Sequence, residues 1–173
     1  MTRRDVIIAP LTPEHRAQTE AILAATGVFS AEEVGVAMEL FDEGVTAGAP
    51  SSDYEFLGAF DAEQRVIGYA CYGPTPSTDG TFDLYWIAVD PKCQGTGAGR
   101  ALMNAVEQLL TERNARLVVV ETSARSEYEM TRGFYDRLGY KVSARLRDFY
   151  APGDDRLVLT KRLRLVMTAG AAM

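Results

Sequence analysis

The 173-residue chain has little of what metal sites, disulfide frameworks and membrane spans require. It contains two cysteines, Cys71 and Cys93, and a single histidine, His15. Two cysteines without CxxC spacing predict neither a disulfide framework nor a zinc site, and one histidine argues against a histidine-based metal cluster. No apolar run approaches the roughly 20 residues of a membrane-spanning helix. We therefore expect a cytoplasmic protein that binds no metal and no membrane.

Positive charge is also in the minority, with 18 Lys and Arg against 24 Asp and Glu. The resulting net charge of −6 argues against nucleic acid as the main partner. The apolar fraction of 47% is ordinary, and the chain is long enough for one domain with a substantial core. We expect a single domain over residues 1–165, followed by a C-terminal tail at 166–173 that frays.

The chain does contain a glycine-rich turn, with the sequence VDPKCQGTGAGR at residues 89–100. An apolar run at 84–89 leads into it, and a helix-like pattern at 101–110 follows it. Glycines at a helix N-terminus let backbone N–H groups approach an anion, and the helix dipole adds about half a positive charge at the same place. The order of strand, turn and helix therefore predicts a cradle for a phosphate group.

Spacing distinguishes three kinds of phosphate-binding loop. A P-loop requires a Lys after its last glycine, and no Lys follows Gly99. A dinucleotide loop requires GxGxxG near the start of the fold, but here Arg100 takes the third glycine position and the loop lies past mid-chain. The third pattern, Gln/Arg-x-x-Gly-x-Gly/Ala, is met by Gln94, Gly97 and Gly99. This pattern resembles the acyl-CoA pyrophosphate loop of the GCN5-related N-acetyltransferases (GNAT).

The order of the predicted elements extends the resemblance over nearly the whole chain. We predict strands at 6–9, 55–60, 65–72, 82–89, 116–122, 140–149 and 156–162, and helices at 13–25, 30–46, 97–113 and 128–138. A second motif, GFYDRLGY at residues 133–140, is similar to the family's Phe/Leu-Tyr-x-x-x-Gly-Phe/Tyr signature. The resemblance implies an α/β fold with a central mixed, mostly antiparallel sheet of about seven strands, flanked by about four helices.

The resemblance also implies acetyl-CoA as cosubstrate, without a metal, and a primary amine as acceptor. The amine, on a small molecule or at a peptide or protein N-terminus, would attack the thioester directly in a ternary complex. By resemblance, acetyl-CoA would lie on the end of one strand and on the glycine turn, at Ile87, Ala88, Val89, Gln94, Gly95, Thr96, Gly97, Ala98, Gly99 and Arg100.

Three side chains are candidates for proton transfer. Tyr135 matches the family's tyrosine, which protonates the departing thiolate. The base that deprotonates the amine would be Glu121, at the carboxyl end of its strand, or Asp83. Strand alternation predicts that Asp83 shares a face with Tyr85 and Ile87, and so points toward the substrate cleft.

The segment after the fifth strand departs from the family pattern. The family often carries Asn-x-x-Ala-x-x-Leu-Tyr there, whereas this chain has ETSARSEY at residues 121–128. Ser123 would take over the role of the Asn, or the role is absent. Tyr128 and Arg132 would then line the acceptor pocket. The acidic residues of the first two predicted helices either form a solvated face or favour a cationic acceptor.

Two other functions remain open on the sequence alone. The fold could serve as a non-catalytic acyl-CoA-binding sensor or interaction module, which would not need Tyr135. A nucleotide-binding protein could use the same loop, although the spacing argues against it. Dimers are common in the family, so a homodimer is also an expectation of the resemblance.

Overall fold

The structure, a computed structural model, describes residues 6–46 and 53–164. The predicted tail at 166–173 and most of the predicted loop at 47–53 lie outside the described residues. The strands are β1 (Ile7–Pro10), β2 (Glu55–Phe60), β3 (Val66–Pro74), β4 (Thr81–Val89), β5 (Leu117–Ser123), β6 (Lys141–Ala151) and β7 (Asp154–Arg162). The α-helices are α1 (Arg16–Thr26), α2 (Ala31–Phe41), α3 (Ala98–Glu112) and α4 (Glu129–Arg137).

The seven strands form one sheet in the order β1-β2-β3-β4-β5-β7-β6. Neighbouring strands are antiparallel except for β4 and β5, which run parallel. The predicted α/β fold, with a mixed and mostly antiparallel sheet of seven strands and four helices, is therefore confirmed. β6 is an edge strand, and all of its residues are exposed.

The parallel ladder between β4 and β5 ends before the strands do. It joins residues 81–84 of β4 to residues 117–120 of β5. Beyond it, β4 continues to Val89 along β3, and β5 continues to Ser123 along β7. The two halves of the sheet thus separate at the carboxyl ends of β4 and β5. Residues 85–89 consequently have no strand partner on the side toward β5.

Two apolar clusters cover the two faces of the sheet. Leu102, Val106 and Leu110 recur at every fourth position of α3 and are fully buried in the first cluster, which also includes Tyr135 of α4. Leu23 of α1 and Phe41 of α2 are fully buried in the second cluster. Burying each such side chain contributes about 1.5–3 kcal/mol. No helix in the part of the chain that the structure describes is long and apolar enough to cross a membrane.

The ends of the helices follow local signals in the sequence. The Ser30 hydroxyl accepts the N–H of Glu33 at 3.2 Å, and the Glu33 carboxylate accepts the N–H of Ser30 at 2.7 Å, so α2 begins with the predicted capping box. It ends at Phe41, and a π-helical turn, Asp42–Thr46, completes the helix predicted to residue 46. A 3-10 turn, Pro13–His15, precedes α1. All other predicted bounds lie within two residues of those observed.

The β6–β7 hairpin is held by a carboxylate near its turn. Asp155 is buried and accepts the backbone N–H of Asp148 at 2.9 Å, and the Arg145 guanidinium also donates to it. Asp148 has a φ of 50°, and the register shifts between Leu146 and Ala151. The Asp148 N–H first, and Arg145 second, hold the pKa of Asp155 below its ordinary value. The charged form of Asp155 therefore fixes the bulged segment of the hairpin.

We expect Asp155→Asn to lower the free energy of unfolding at pH 7, and to lower it by a smaller amount at pH 3. A folded-state pKa below the ordinary 3.8 means that the ionised carboxylate stabilises the fold above that value, and that this stability is lost as the pH falls through the folded-state pKa. Urea denaturation at both pH values measures the difference. Asp79→Asn, at a fully exposed side chain, is the matched control. A loss for Asp155→Asn that is the same at both pH values would contradict this account.

Candidate functional site

The glycine-rich turn connects β4 to α3, as predicted. Gly95 and Gly97 have φ angles of 77° and 96°, which favour glycine because a side chain is strained there. A Cβ at either glycine would meet no other atom within 4 Å, so the space beside the turn is open. The Thr96 hydroxyl donates to the Cys93 carbonyl at 2.6 Å and braces the turn from within. The backbone of the turn is therefore fixed, and its glycines face open space.

The first turn of α3 supplies further backbone donors. Gly97 is the N-cap of this 15-residue helix. The N–H groups of Ala98, Gly99 and Arg100 consequently have no carbonyl acceptor within the helix. Together with the helix dipole, such N–H groups bind anions, and phosphate groups in particular. These N–H groups are available to an anion, and the phosphate cradle stays a prediction.

A groove of about 410 Å³, called here the turn groove, runs along the glycine turn. Nine of the ten residues predicted to bind the cofactor line it; Thr96 does not. The turn groove is also lined by Met130, Thr131, Phe134 and Arg137 of α4, which the sequence reasoning missed. The spacing of Met130, Phe134 and Arg137, at positions i, i+4 and i+7, was the signal that they share a helix face. The predicted cofactor residues are therefore almost all brought together.

A second cavity of about 580 Å³, called here the aromatic cavity, adjoins the turn groove. Both are lined by Ile87, Ala88, Val89, Gln94 and Thr131. The rest of the aromatic cavity comes from α1, α2 and their connection, from β4, the end of β5 and the segment that follows it, and from α4 and the β6–β7 hairpin. The aromatic residues among these are Phe29, Tyr85, Trp86, Tyr128, Tyr135 and Tyr150. We call the two adjoining spaces together the cleft; the end of β4, where the sheet separates, lines both.

Tyr135 lies in the wall of the aromatic cavity. It is only 4% exposed, and its ring packs edge-to-face against Phe134 and Tyr140, with ring centroids 5.3 and 5.5 Å apart. Burial raises the pKa of its hydroxyl well above the ordinary value of 10. The hydroxyl forms no hydrogen bond with any residue that the structure describes. It is therefore a protonated donor group at the cleft.

Glu121 also lines the aromatic cavity, at the end of β5. Its carboxylate forms an ion pair with Arg156 of β7. The Arg156 guanidinium lies 4.7 Å from the centroid of the Phe149 ring, which holds it from the other side. Glu121 is thus placed at the cleft as predicted, with one carboxylate oxygen bound to a fixed cation.

A β-bulge in β4 changes the faces that its side chains occupy. Cys71 of β3 pairs with Trp86, but the next residue, Tyr72, pairs with Leu84. Tyr85 is therefore an additional residue that no residue of β3 opposes. Its side chain and that of Trp86 both pack against the cluster under α1 and α2.

The prediction that Asp83, Tyr85 and Ile87 share one face is wrong because of this bulge. Ile87 packs against the cluster under α3 and α4, on the opposite face from Tyr85. Asp83 accepts a hydrogen bond from the Thr75 hydroxyl at 2.7 Å. Among the described residues that line the turn groove and the aromatic cavity, Asp83 is absent.

Of the predicted acceptor residues, Ser123 and Tyr128 line the aromatic cavity and Arg132 does not. Ser123 donates its hydroxyl to the Asp154 carboxylate. Arg132 instead donates to the backbone carbonyls of Ser123 at 2.9 Å and Arg125 at 2.7 Å. Arg132 therefore shapes the segment after β5, and the segment in turn forms the cavity wall.

Comparison with known proteins agrees with the family resemblance seen in the sequence. The model of the acetyltransferase (GNAT) family matches residues 24–140, which include the glycine turn and Tyr135. A solved structure of a GNAT-family protein from Desulfovibrio desulfuricans is 38% identical, with a TM-score of 0.88, over 92% of this chain and 100% of that chain.

Two further proteins are more distant. An uncharacterised N-acetyltransferase of Methanocaldococcus jannaschii is 30% identical over 104 residues, which are 59% of this chain and 63% of that protein. The chain thus matches less than two thirds of the length of this curated relative. An aminoglycoside 6′-N-acetyltransferase, solved in complex with coenzyme A, is 15% identical with a TM-score of 0.72, over 92% of this chain and 98% of that chain. At that identity, the likeness is one of fold alone.

We expect Gly97→Ala to destabilise the protein by about 1–2 kcal/mol, because an alanine is strained in the left-handed conformation of the turn. Gly35→Ala is the matched control. Gly35 lies inside α2, where a Cβ would meet no atom within 4 Å, so this change should stabilise the protein by about 0.5–1 kcal/mol. Urea denaturation measures both changes. Equal effects of the two substitutions would show that the turn does not require glycine at position 97.

Proposed function

Because the chain belongs to the acetyltransferase (GNAT) family, we propose that it is an N-acetyltransferase that transfers the acetyl group of acetyl-CoA to a primary amine. The amine would attack the thioester directly, in a ternary complex. The observation that supports this most is the junction of the turn groove and the aromatic cavity at residues 87–89. A cofactor in the first space and an amine in the second would meet there.

The residues present fit a CoA ester. The open glycine turn and the free N–H groups at the start of α3 suit its pyrophosphate. The edge of β4 at residues 85–89 lacks a strand partner, so its backbone groups suit the amides of the pantetheine arm. When bound, acetyl-CoA supplies an activated thioester carbonyl. A backbone N–H at residues 88–89 would polarise that carbonyl.

Proton transfers complete the proposed reaction. The amine nitrogen would bond to the carbonyl carbon as the carbon–sulfur bond breaks, and Tyr135 would donate its phenolic proton to the departing thiolate. Burial keeps Tyr135 protonated until that moment. The attacking amine loses its proton to a carboxylate or to water. Of the two bases predicted from the sequence, only Glu121 lines the aromatic cavity, so we assign this role to Glu121.

We expect Tyr135→Phe to lower kcat on the order of 10²-fold while the KM for acetyl-CoA stays almost unchanged, because the substitution removes a proton donor and keeps the buried ring. Steady-state release of the CoA thiol measures both constants. Tyr140→Phe is the control, since its hydroxyl bonds to Glu107 at 3.0 Å and does not line the cleft. An unchanged kcat in Tyr135→Phe would remove this residue from the mechanism.

The decisive test of the function is thermal unfolding with acetyl-CoA, CoA, ATP and NAD, followed by thiol release with a panel of amines. A ligand that binds only the folded protein raises the melting temperature by mass action. We expect a rise with acetyl-CoA and CoA alone, and thiol release with at least one class of amine. No rise with either CoA species would overturn the proposal. A rise without thiol release from any amine would favour a non-catalytic acyl-CoA-binding module.

A further inference from the structure

One end of the aromatic cavity carries acidic and aromatic side chains that acetyl transfer to a simple amine does not require. Asp154, Glu33, Tyr128 and Tyr150 line the aromatic cavity but not the turn groove, and we call this group the anionic corner. Its members come from α2, from the segment after β5, and from both strands of the β6–β7 hairpin. Three separate parts of the chain thus converge on it.

Asp154 is the central residue of the anionic corner. It is 8% exposed, and one of its carboxylate oxygens accepts the Ser123 hydroxyl. No Lys or Arg among the described residues forms an ion pair with it, whereas the neighbouring Asp155 is paired with Arg145. A buried carboxylate is costly unless a cation or several donors compensate its charge. The side of Asp154 that faces the cavity is where a ligand can provide that compensation.

The two tyrosines lie within the field of both carboxylates. Burial is the main cause that raises the pKa of the Tyr128 and Tyr150 hydroxyls. The charges of Glu33 and Asp154 raise it further, while Arg125 opposes this rise at Tyr128. Tyr128 donates its hydroxyl to the Val28 carbonyl at 3.3 Å, which anchors its ring at the cavity wall. Aromatic rings beside carboxylates attract ammonium and guanidinium groups.

The charges lining the rest of the aromatic cavity do not neutralise the anionic corner. Three carboxylates line the cavity, those of Glu33, Glu121 and Asp154, against the single guanidinium of Arg125. Arg125 pairs with Glu127 at 3.0 Å and is largely exposed. Arg156 is engaged with Glu121. Among the described residues, neither Asp154 nor Glu33 forms an ion pair; the Arg125 charge acts on Asp154 only from beyond ion-pair distance.

We propose that the anionic corner binds a second cationic group of the acceptor, so that the acceptor class is an amine carrying another positive charge. This inference rests on the proposed acetyl transfer. One amine, in its neutral form, attacks the thioester, while the other stays protonated against Asp154 between Tyr128 and Tyr150. A free α,ω-diamine and a peptide N-terminus followed by a basic side chain share this chemistry.

Binding can be measured without turnover, because Trp86 is the single tryptophan of the chain and lines the aromatic cavity. We expect 1,4-diaminobutane to change its fluorescence at an at least about tenfold lower concentration than 1-aminobutane, in the presence of CoA. Asp154→Asn keeps an acceptor for the Ser123 hydroxyl and should bring this ratio close to one. Tyr150→Leu, at a half-exposed side chain, should lower the ratio several-fold. Asp79→Asn should leave it unchanged.

The same ligands in the thiol-release assay separate the two proposals. Equal affinity of the wild-type protein for both amines, or a preference that survives in both Asp154→Asn and Tyr150→Leu, overturns the second-cation site. Acetyl transfer that shows no preference for the diamine supports the proposed acetyltransferase activity but overturns the second-cation site. The protein could also bind the diamine preferentially, lose this preference in Asp154→Asn, and acetylate no amine. That result supports the second-cation site and overturns the proposed acetyltransferase activity. If neither simple amine binds, a preference for peptides with Lys over Ala at the second position assigns the peptide source, and the absence of that preference overturns the site.

Discussion

The architecture of the cleft depends on one β-ladder that ends early. β4 and β5 pair over residues 81–84 and 117–120 and then separate, while β3 and β7 continue to hold their outer edges. Each half of the sheet therefore stays paired on its own side of the gap. The strand edge exposed in the gap needs hydrogen-bond partners, which only solvent or a ligand can provide. The turn groove and the aromatic cavity both open at this gap, which explains why residues 87–89 line both.

Local signals predicted most of the fold and the cofactor side of the cleft. The glycine turn and the start of α2 each depend on a few neighbouring residues, and the Ser30 capping box formed as expected. The face of Asp83 could not be predicted, because the bulge at Tyr85 carries no glycine or proline to signal it. Such a bulge arises from the register of β3 against β4, and therefore from contacts distant in sequence.

The acceptor side was least accessible to sequence reasoning. Asp154 and Asp155 are consecutive acids at a hairpin, and their sequence does not distinguish them. The structure gives them different surroundings: Asp155 is paired with Arg145 and fixes the backbone, while Asp154 lines the cavity and forms no ion pair with a described residue. Only the alternation of strand faces, together with the register of the hairpin, separates a structural carboxylate from one available to a ligand.

The bulged segment of β6 has a second consequence, which concerns solubility. β6 is an exposed edge strand that carries Val142, Leu146 and Phe149, and such an edge is a template for unwanted pairing with another strand. The irregular stretch between Leu146 and Ala151, with the positive φ of Asp148, interrupts the regular spacing of its free N–H and C=O groups. Charged residues along the same strand add repulsion. The distortion beside Tyr150 thus makes this edge a poorer template for pairing with another strand.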